Sequence, residues 1–182
     1  MRAHLLLLGV LLSSAACGPR DLPRDEIKGI LFPDKGVLGG YDFGDSWSDI
    51  KAKHPDYLEV RDDNTKQLRR DVGDNAGSNG YFLGFSLDPS GKVIGLEVSI
   101  HGKKQNTVAV RELFDEVVTH YDKTLGKGQC EAPPGGMGSS DKQDLSLNCE
   151  WMVTGKPQVR VRYMHLFDIQ SGSLSVSVKP PK

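Results

Sequence analysis

The chain has 182 residues, enough for one domain with a real core, and carries 23 basic against 24 acidic side chains. A net charge of −1 gives no sign of the basic patches that nucleic acid or an anionic membrane surface would demand. Three cysteines without a Cys-x-x-Cys pair speak against a zinc finger or a thioredoxin-type redox centre.

Residues 1–16 have the make-up of an export signal. Arg2 is a short positive opening, Leu5 to Leu12 form an apolar run broken only by Gly9, and Ser13, Ser14, Ala15 and Ala16 are small enough for a signal peptidase. The run is too short to span a bilayer, which takes about 20 residues. It ends in Ser14-Ala15-Ala16-Cys17, which resembles the lipobox of bacterial lipoproteins, although Ser14 stands where that family usually has leucine. The resemblance implies cleavage before Cys17, diacylglyceryl and N-acyl (palmitate-type) chains on that cysteine, and a stable membrane anchor. Gly18, rather than Asp, in the next position implies sorting to the outer membrane, facing the periplasm. An ordinary secretory signal, leaving Cys17 a free thiol, is the competing reading.

With Cys17 lipidated, Cys130 and Cys149 are the remaining pair, and an even remainder in an exported chain reads as one disulfide. Two reduced, buried thiols are the alternative. Loss of Arg2 with the signal leaves a net charge of −2.

Residues 17–40 are rich in Pro, Gly and charge, with one apolar island at Ile30-Leu31-Phe32, and read as a flexible tether holding the domain off the bilayer. The single folded domain is expected over residues 41–182. Ser46-Trp47-Ser48-Asp49 has the form of a capping box, opening a helix that Pro55 stops. Two weaker strands are expected around Tyr57–Arg61 and Lys66–Val72. Tyr81, Leu83, Phe85 and Leu87 alternate, Asp88-Pro89-Ser90-Gly91 turns, and Ile94, Leu96, Val98 and Ile100 alternate on the way back, which predicts a β-hairpin.

The period then changes. Val110, Leu113, Phe114, Val117, Val118, Tyr121 and Leu125 form the stripe of a long helix, with Asn106 or Thr107 able to cap its start and Gly126 suited to its end. Three further strands follow. Leu145, Leu147, Cys149, Trp151 and Val153 share one face, then Val159, Val161, Tyr163, His165 and Phe167, then Leu174, Val176 and Val178. Ser146, Asn148, Glu150, Arg160, Arg162, Ser173, Ser175 and Ser177 fall on the other face, which suits water. The disulfide would tie the exit of the long helix to this sheet, enclosing the loop Ala132–Gln143.

The expected fold is α+β, two helix-then-antiparallel-strand units with the helices packed on one face of an antiparallel sheet. Gly44-Asp45-Ser46-Trp47-Ser48-Asp49-Ile50, followed by a strand meander, resembles the small lipoproteins of the outer-membrane β-barrel assembly machinery and the β-lactamase inhibitor protein. The resemblance implies a non-enzymatic, protein-binding domain of the envelope and transfers no binding residue.

The sequence offers no catalytic constellation, no metal-ligand spacing and no cofactor motif. Gly84-Phe85-Ser86-Leu87-Asp88 lacks the second glycine of a nucleophile elbow, and Gly135-Gly136-Met137-Gly138-Ser139-Ser140 lacks the Gly-Lys-Ser/Thr of a phosphate loop. Asp71 to Gly80 is as polar as a calcium loop but fails its register at Gly73 and Phe82. His54, His101, His120 and His165 lie far apart, and His165 reads as a core or rim histidine. Trp47, Trp151, Tyr163 and Phe167 could line a receiving surface, but their spacing fits core positions better. Arg160 and Arg162 offer a cationic strip on the solvated face. The expectation is a non-catalytic lipoprotein acting through a protein partner, as an assembly accessory or scaffold. The alternative is a small-ligand-binding or inhibitor (immunity-type) module of the periplasm, and a hydrolase would require His101, His120 or His165 to meet a carboxylate in one cleft.

Overall fold

The computed structural model describes residues 21–55, 58–62, 65–70, 79–131 and 145–181. Cys17, the loop Ala132–Gln143 with its glycine run, and most of the Asp71–Gly80 stretch lie outside them. In chain order the elements are α1 (Arg24–Leu31), α2 (Trp47–Lys53), β1 (Leu58–Asp62), β2 (Thr65–Arg70), β3 (Gly80–Leu87), β4 (Val93–Lys103), α3 (Asn106–Leu125), β5 (Gln129–Glu131), β6 (Leu145–Trp151), β7 (Gln158–Leu166) and β8 (Ser171–Lys179). The class is α+β, with an antiparallel sheet ordered β1-β2-β3-β4-β8-β7-β6-β5.

The register turns the period-two patterns into continuous apolar rows. Leu83 pairs with Val98, Val98 with Val176, Val176 with Val161 and Val161 with Cys149. A parallel row runs Phe85, Leu96, Val178, Val159, Trp151, and another Tyr81, Ile100, Leu174, Tyr163, Leu147. A one-residue slip in any strand would send its share of these rows into water, so burial itself enforces the pairing. α3 packs against β4, β6, β7 and β8. Its stripe of Val110, Leu113, Phe114, Val117 and Tyr121 is buried in the same core as the strand rows.

Close approach decides one glycine. A Cβ on Gly102 would sit 2.8 Å from both the Asn106 carbonyl oxygen and Val110 Cγ2, so only glycine lets β4 pass directly under the start of α3.

Four expectations are corrected. The first is the tether: Arg24–Leu31 is helical, and Leu22, Ile27, Leu31 and Leu38 belong to the core. Ile27 and Leu31 are one helical turn apart, and Arg24 and Lys28 pair with Glu112 and Glu116 of α3. Pro23 and the following glycines gave this segment a linker's composition, while two apolar residues at the right spacing were enough to seat it. The folded domain therefore reaches back at least to Leu22.

The second concerns helix caps. Ser46 stands at the N-cap of α2, but its hydroxyl meets Ser48 Oγ at 2.7 Å and makes no capping bond. At α3 the N-cap is Gln105, without a side-chain cap. The Asn106 side chain instead accepts from Leu22 N at 3.2 Å, and Thr107 Oγ1 donates back to the Lys104 carbonyl. Gly126 ends the helix at φ 89°.

The third is Ile94, assigned to the apolar face by alternation. A bulge between Ser86 and Leu87 shifts the register, so Val93 takes the buried place and Ile94 is exposed. The fourth is strand length. β6 stops at Trp151 and β7 at Leu166, so Val153 and Phe167 lie past the ladder and are exposed rather than core.

Candidate interaction surface

Side chains with the opposite parity to the apolar rows line the other face of β3, β4, β8, β7 and β6. Most of them are polar, with Phe82, Met164 and Leu166 the apolar members. Glu97 accepts from Ser175 Oγ at 2.7 Å and from Ser99 Oγ at 3.1 Å, so one carboxylate joins β4 to β8. Arg160 Nε donates to Glu150 Oε1 at 2.7 Å, and Arg162 Nε to Asn148 Oδ1 at 3.1 Å, both between register partners of β7 and β6. Such pairs stabilise a sheet by about 0.2–1 kcal/mol each and hold long side chains in defined positions.

Gly84, Gly95, Ser86 and Ser177 keep part of this face low. Beside them is a hollow of about 320 Å³ bordered by Glu97, Glu150, Met152, Arg160, Ser177 and Lys179. Carboxylates and cations thus face the same space. Arg160 and Arg162 are exposed here, as their strand parity predicts.

The aromatic candidates divide. Trp47 and Tyr41 both pack edge-on against Phe85, Tyr163 lies against Phe114, and Trp151 against Tyr121, all within the core. Burial pushes the Tyr121 hydroxyl up to about 12. Tyr163 is also raised, chiefly by burial, with Arg111 opposing and Asp115 reinforcing the shift. Trp151 Nε1 donates to Asp122 Oδ1 at 3.1 Å, and Gly128 N to the same oxygen at 2.8 Å.

The histidines do not converge. His54 meets the Tyr41 hydroxyl at the end of α2, and His101 stacks on Phe82 at the end of β4. His165 is half-buried against Phe167 at the end of β7. His120 lies against Phe32 on the outer side of α3, its pKa lowered by partial burial and then by Lys123. Among the described residues no cluster of three His, Cys, Asp or Glu side chains could hold a metal ion.

Cys130 and Cys149 are disulfide-bonded, joining β5 to β6 as direct register partners. Sequence parity placed Cys149 in the core, where it is buried, but gave no sign that residues 129–131 would form a strand. No helix among the described residues is long and apolar enough to cross a membrane. Compared with protein-family models, curated proteins and solved structures, the chain matches none of them.

Proposed function

We propose that this chain is a lipid-anchored, non-catalytic envelope protein that acts through protein–protein contact, as an assembly accessory or scaffold. The supporting observation is the solvated sheet face, where Glu97, Arg160, Arg162, Glu150 and Asn148 are fixed by cross-strand bonds yet remain partly or fully open to solvent. Pre-positioned polar side chains on a rigid sheet lower the ordering cost of an interface. In this reading α2 with β1–β4 and α3 with β5–β8 are two helix-then-strand units, joined at β4–β8, with the helices on one side and the partner on the other. Cys17 carries the lipid, and outer-membrane attachment facing the periplasm follows from the lipobox-like segment and Gly18.

A photo-crosslinking residue at Arg162 or Met164 in cells should give one discrete protein adduct, while the same residue at Thr119 on the outer side of α3 should give none. Equal adducts from both sides, or no adduct and no stoichiometric partner from solubilised membranes, would refute the reading.

A second reading, a small-ligand-binding or inhibitor-type module, is favoured by the hollow bordered by Glu97, Glu150, Arg160 and Lys179. It requires a ligand whose binding is lost in Arg160→Ala without loss of fold, measured by calorimetry.

A further inference from the structure

The start of the folded chain is fastened to one end of the sheet. Leu22 is 5% exposed, and its backbone N–H donates to the side chain of Asn106, the first residue of α3. That first turn lies beside the β7–β8 turn: Lys104 N donates to the Gln170 carbonyl at 2.8 Å, and Gly172 faces Thr107. The N-terminal anchor point, the start of α3 and the β7–β8 turn therefore form one end of the molecule. The opposite end is the β6–β7 turn near Val153, about 30 Å away along β7 at 3.3 Å per residue.

Apolar side chains are exposed at both ends of the sheet, Ile94, Met152 and Val153 at the far one, so the chain length to Cys17 decides which end meets the bilayer. Val108 in the first turn of α3 is 62% exposed, Ile169 in the β7–β8 turn 60%, and Phe167 37%. Neither core nor ladder accounts for them. Lys103 and Lys104 are exposed beside them, and Asp21 and Asp168 balance those charges. Apolar tips over a neutral rim suit the boundary between headgroups and acyl chains rather than an electrostatic partner.

The covalent length of chain fixes which surface this end meets. Leu22 lies five positions after Cys17, and even fully extended those five steps cannot exceed about 18 Å. A lipid on Cys17 would hold Leu22 within that distance of the bilayer, and with it the start of α3 and the β7–β8 turn.

We infer that this end of the domain, with Val108, Phe167 and Ile169 at its tip, is seated on the bilayer that holds the lipid of Cys17. The inference rests on the lipidation proposed above and deepens it. The domain is docked on the membrane in one orientation, with the β6–β7 turn pointing away.

The experiment uses the full mature protein reconstituted into phosphatidylcholine vesicles, with a spin label on Ile169→Cys, on Val108→Cys or on Val153→Cys. With Cys17 in a thioether and Cys130 bonded to Cys149, the introduced cysteine is the reactive thiol in each protein. The labels at 169 and 108 should collide several-fold less with a water-soluble nickel chelate, and more with oxygen, than the label at 153. Equal chelate access at all three positions in protein whose intact mass includes acylated Cys17 would overturn the docked orientation and leave the anchor standing. An intact mass without acyl chains would overturn both.

Discussion

Replacing Asp122 by alanine removes one oxygen that two donors share, and the consequence can be worked out from their surroundings. Trp151 Nε1 and Gly128 N both donate to Asp122 Oδ1, which ties the last turn of α3 to β6 and to the turn before β5. Hydrogen bonds to a charged acceptor contribute about 1.5–3 kcal/mol, and an unsatisfied buried donor costs about 1–3 kcal/mol. Trp151 is 2% exposed, so its indole N–H would have little access to water once the carboxylate is gone. The expected loss in Asp122→Ala is about 2–4 kcal/mol. For a domain of this size that lowers Tm by about 5–15 °C. Denaturant unfolding of wild type, Asp122→Ala, Trp151→Phe and the double variant separates the bond from the lost indole volume. In the Trp151→Phe background the aspartate should matter less, giving a coupling energy of at least about 1 kcal/mol. Coupling below about 0.5 kcal/mol, the usual scatter of independent sites, would refute the reasoning.

Three further outcomes are expected. Replacing Cys130 and Cys149 together by serine should cost roughly 3 kcal/mol by restoring freedom to the unfolded chain, as read by urea unfolding of oxidised and variant protein. Gly102→Ala should destabilise by about 1–3 kcal/mol, because its methyl meets backbone at Asn106 as well as the side chain of Val110; unchanged stability would mean that α3 shifts freely. His120 should titrate below 6.5 by NMR, since partial burial and Lys123 disfavour its charged form. The folded state then binds fewer protons than the unfolded state, so this residue lowers stability as pH falls from 6.5 toward its folded pKa. His120→Gln should flatten that part of the stability profile.

The strands and the long helix were legible because burial imposes a period. Tyr81 to Leu87, Val159 to Tyr163 and Leu174 to Val178 alternate cleanly, and the Val110–Tyr121 stripe repeats as a helix should. Asp88 was legible as a turn residue, and its carboxylate does accept from Ser90 N, Ser90 Oγ and Lys92 N. What escaped depended on events outside the local window. Ile94 leaves the core because a bulge flips its parity, and Gln129–Glu131 becomes a strand because β6 offers a pairing edge. α1 escaped because eight residues with only two buried side chains carry a weak periodic signal amid Pro and Gly. The open face was readable as polar from Ser175, Arg160 and Glu150, but the hub at Glu97 needs β4 and β8, far apart in the chain, in register before it exists. The apolar end at Val108 and Ile169 has no sequence signature, since its residues come from two turns far apart in the chain.

The junction between β4 and β8 has a consequence for how the molecule is made. β8, the last of the described strands in chain order, is an interior strand of the sheet, with Leu96 waiting for Val178 and Ile100 for Leu174. Until β8 arrives, β4 and β7 each present an open hydrogen-bonding edge beside an uncovered apolar row, a condition that invites pairing with the wrong chain. Loop closure across about half the domain must precede the contacts that reward it, so folding is expected to be slow and to wait for β8. Under the export proposed above that order is useful, because a chain that cannot close its sheet early stays threadable until β8 has crossed.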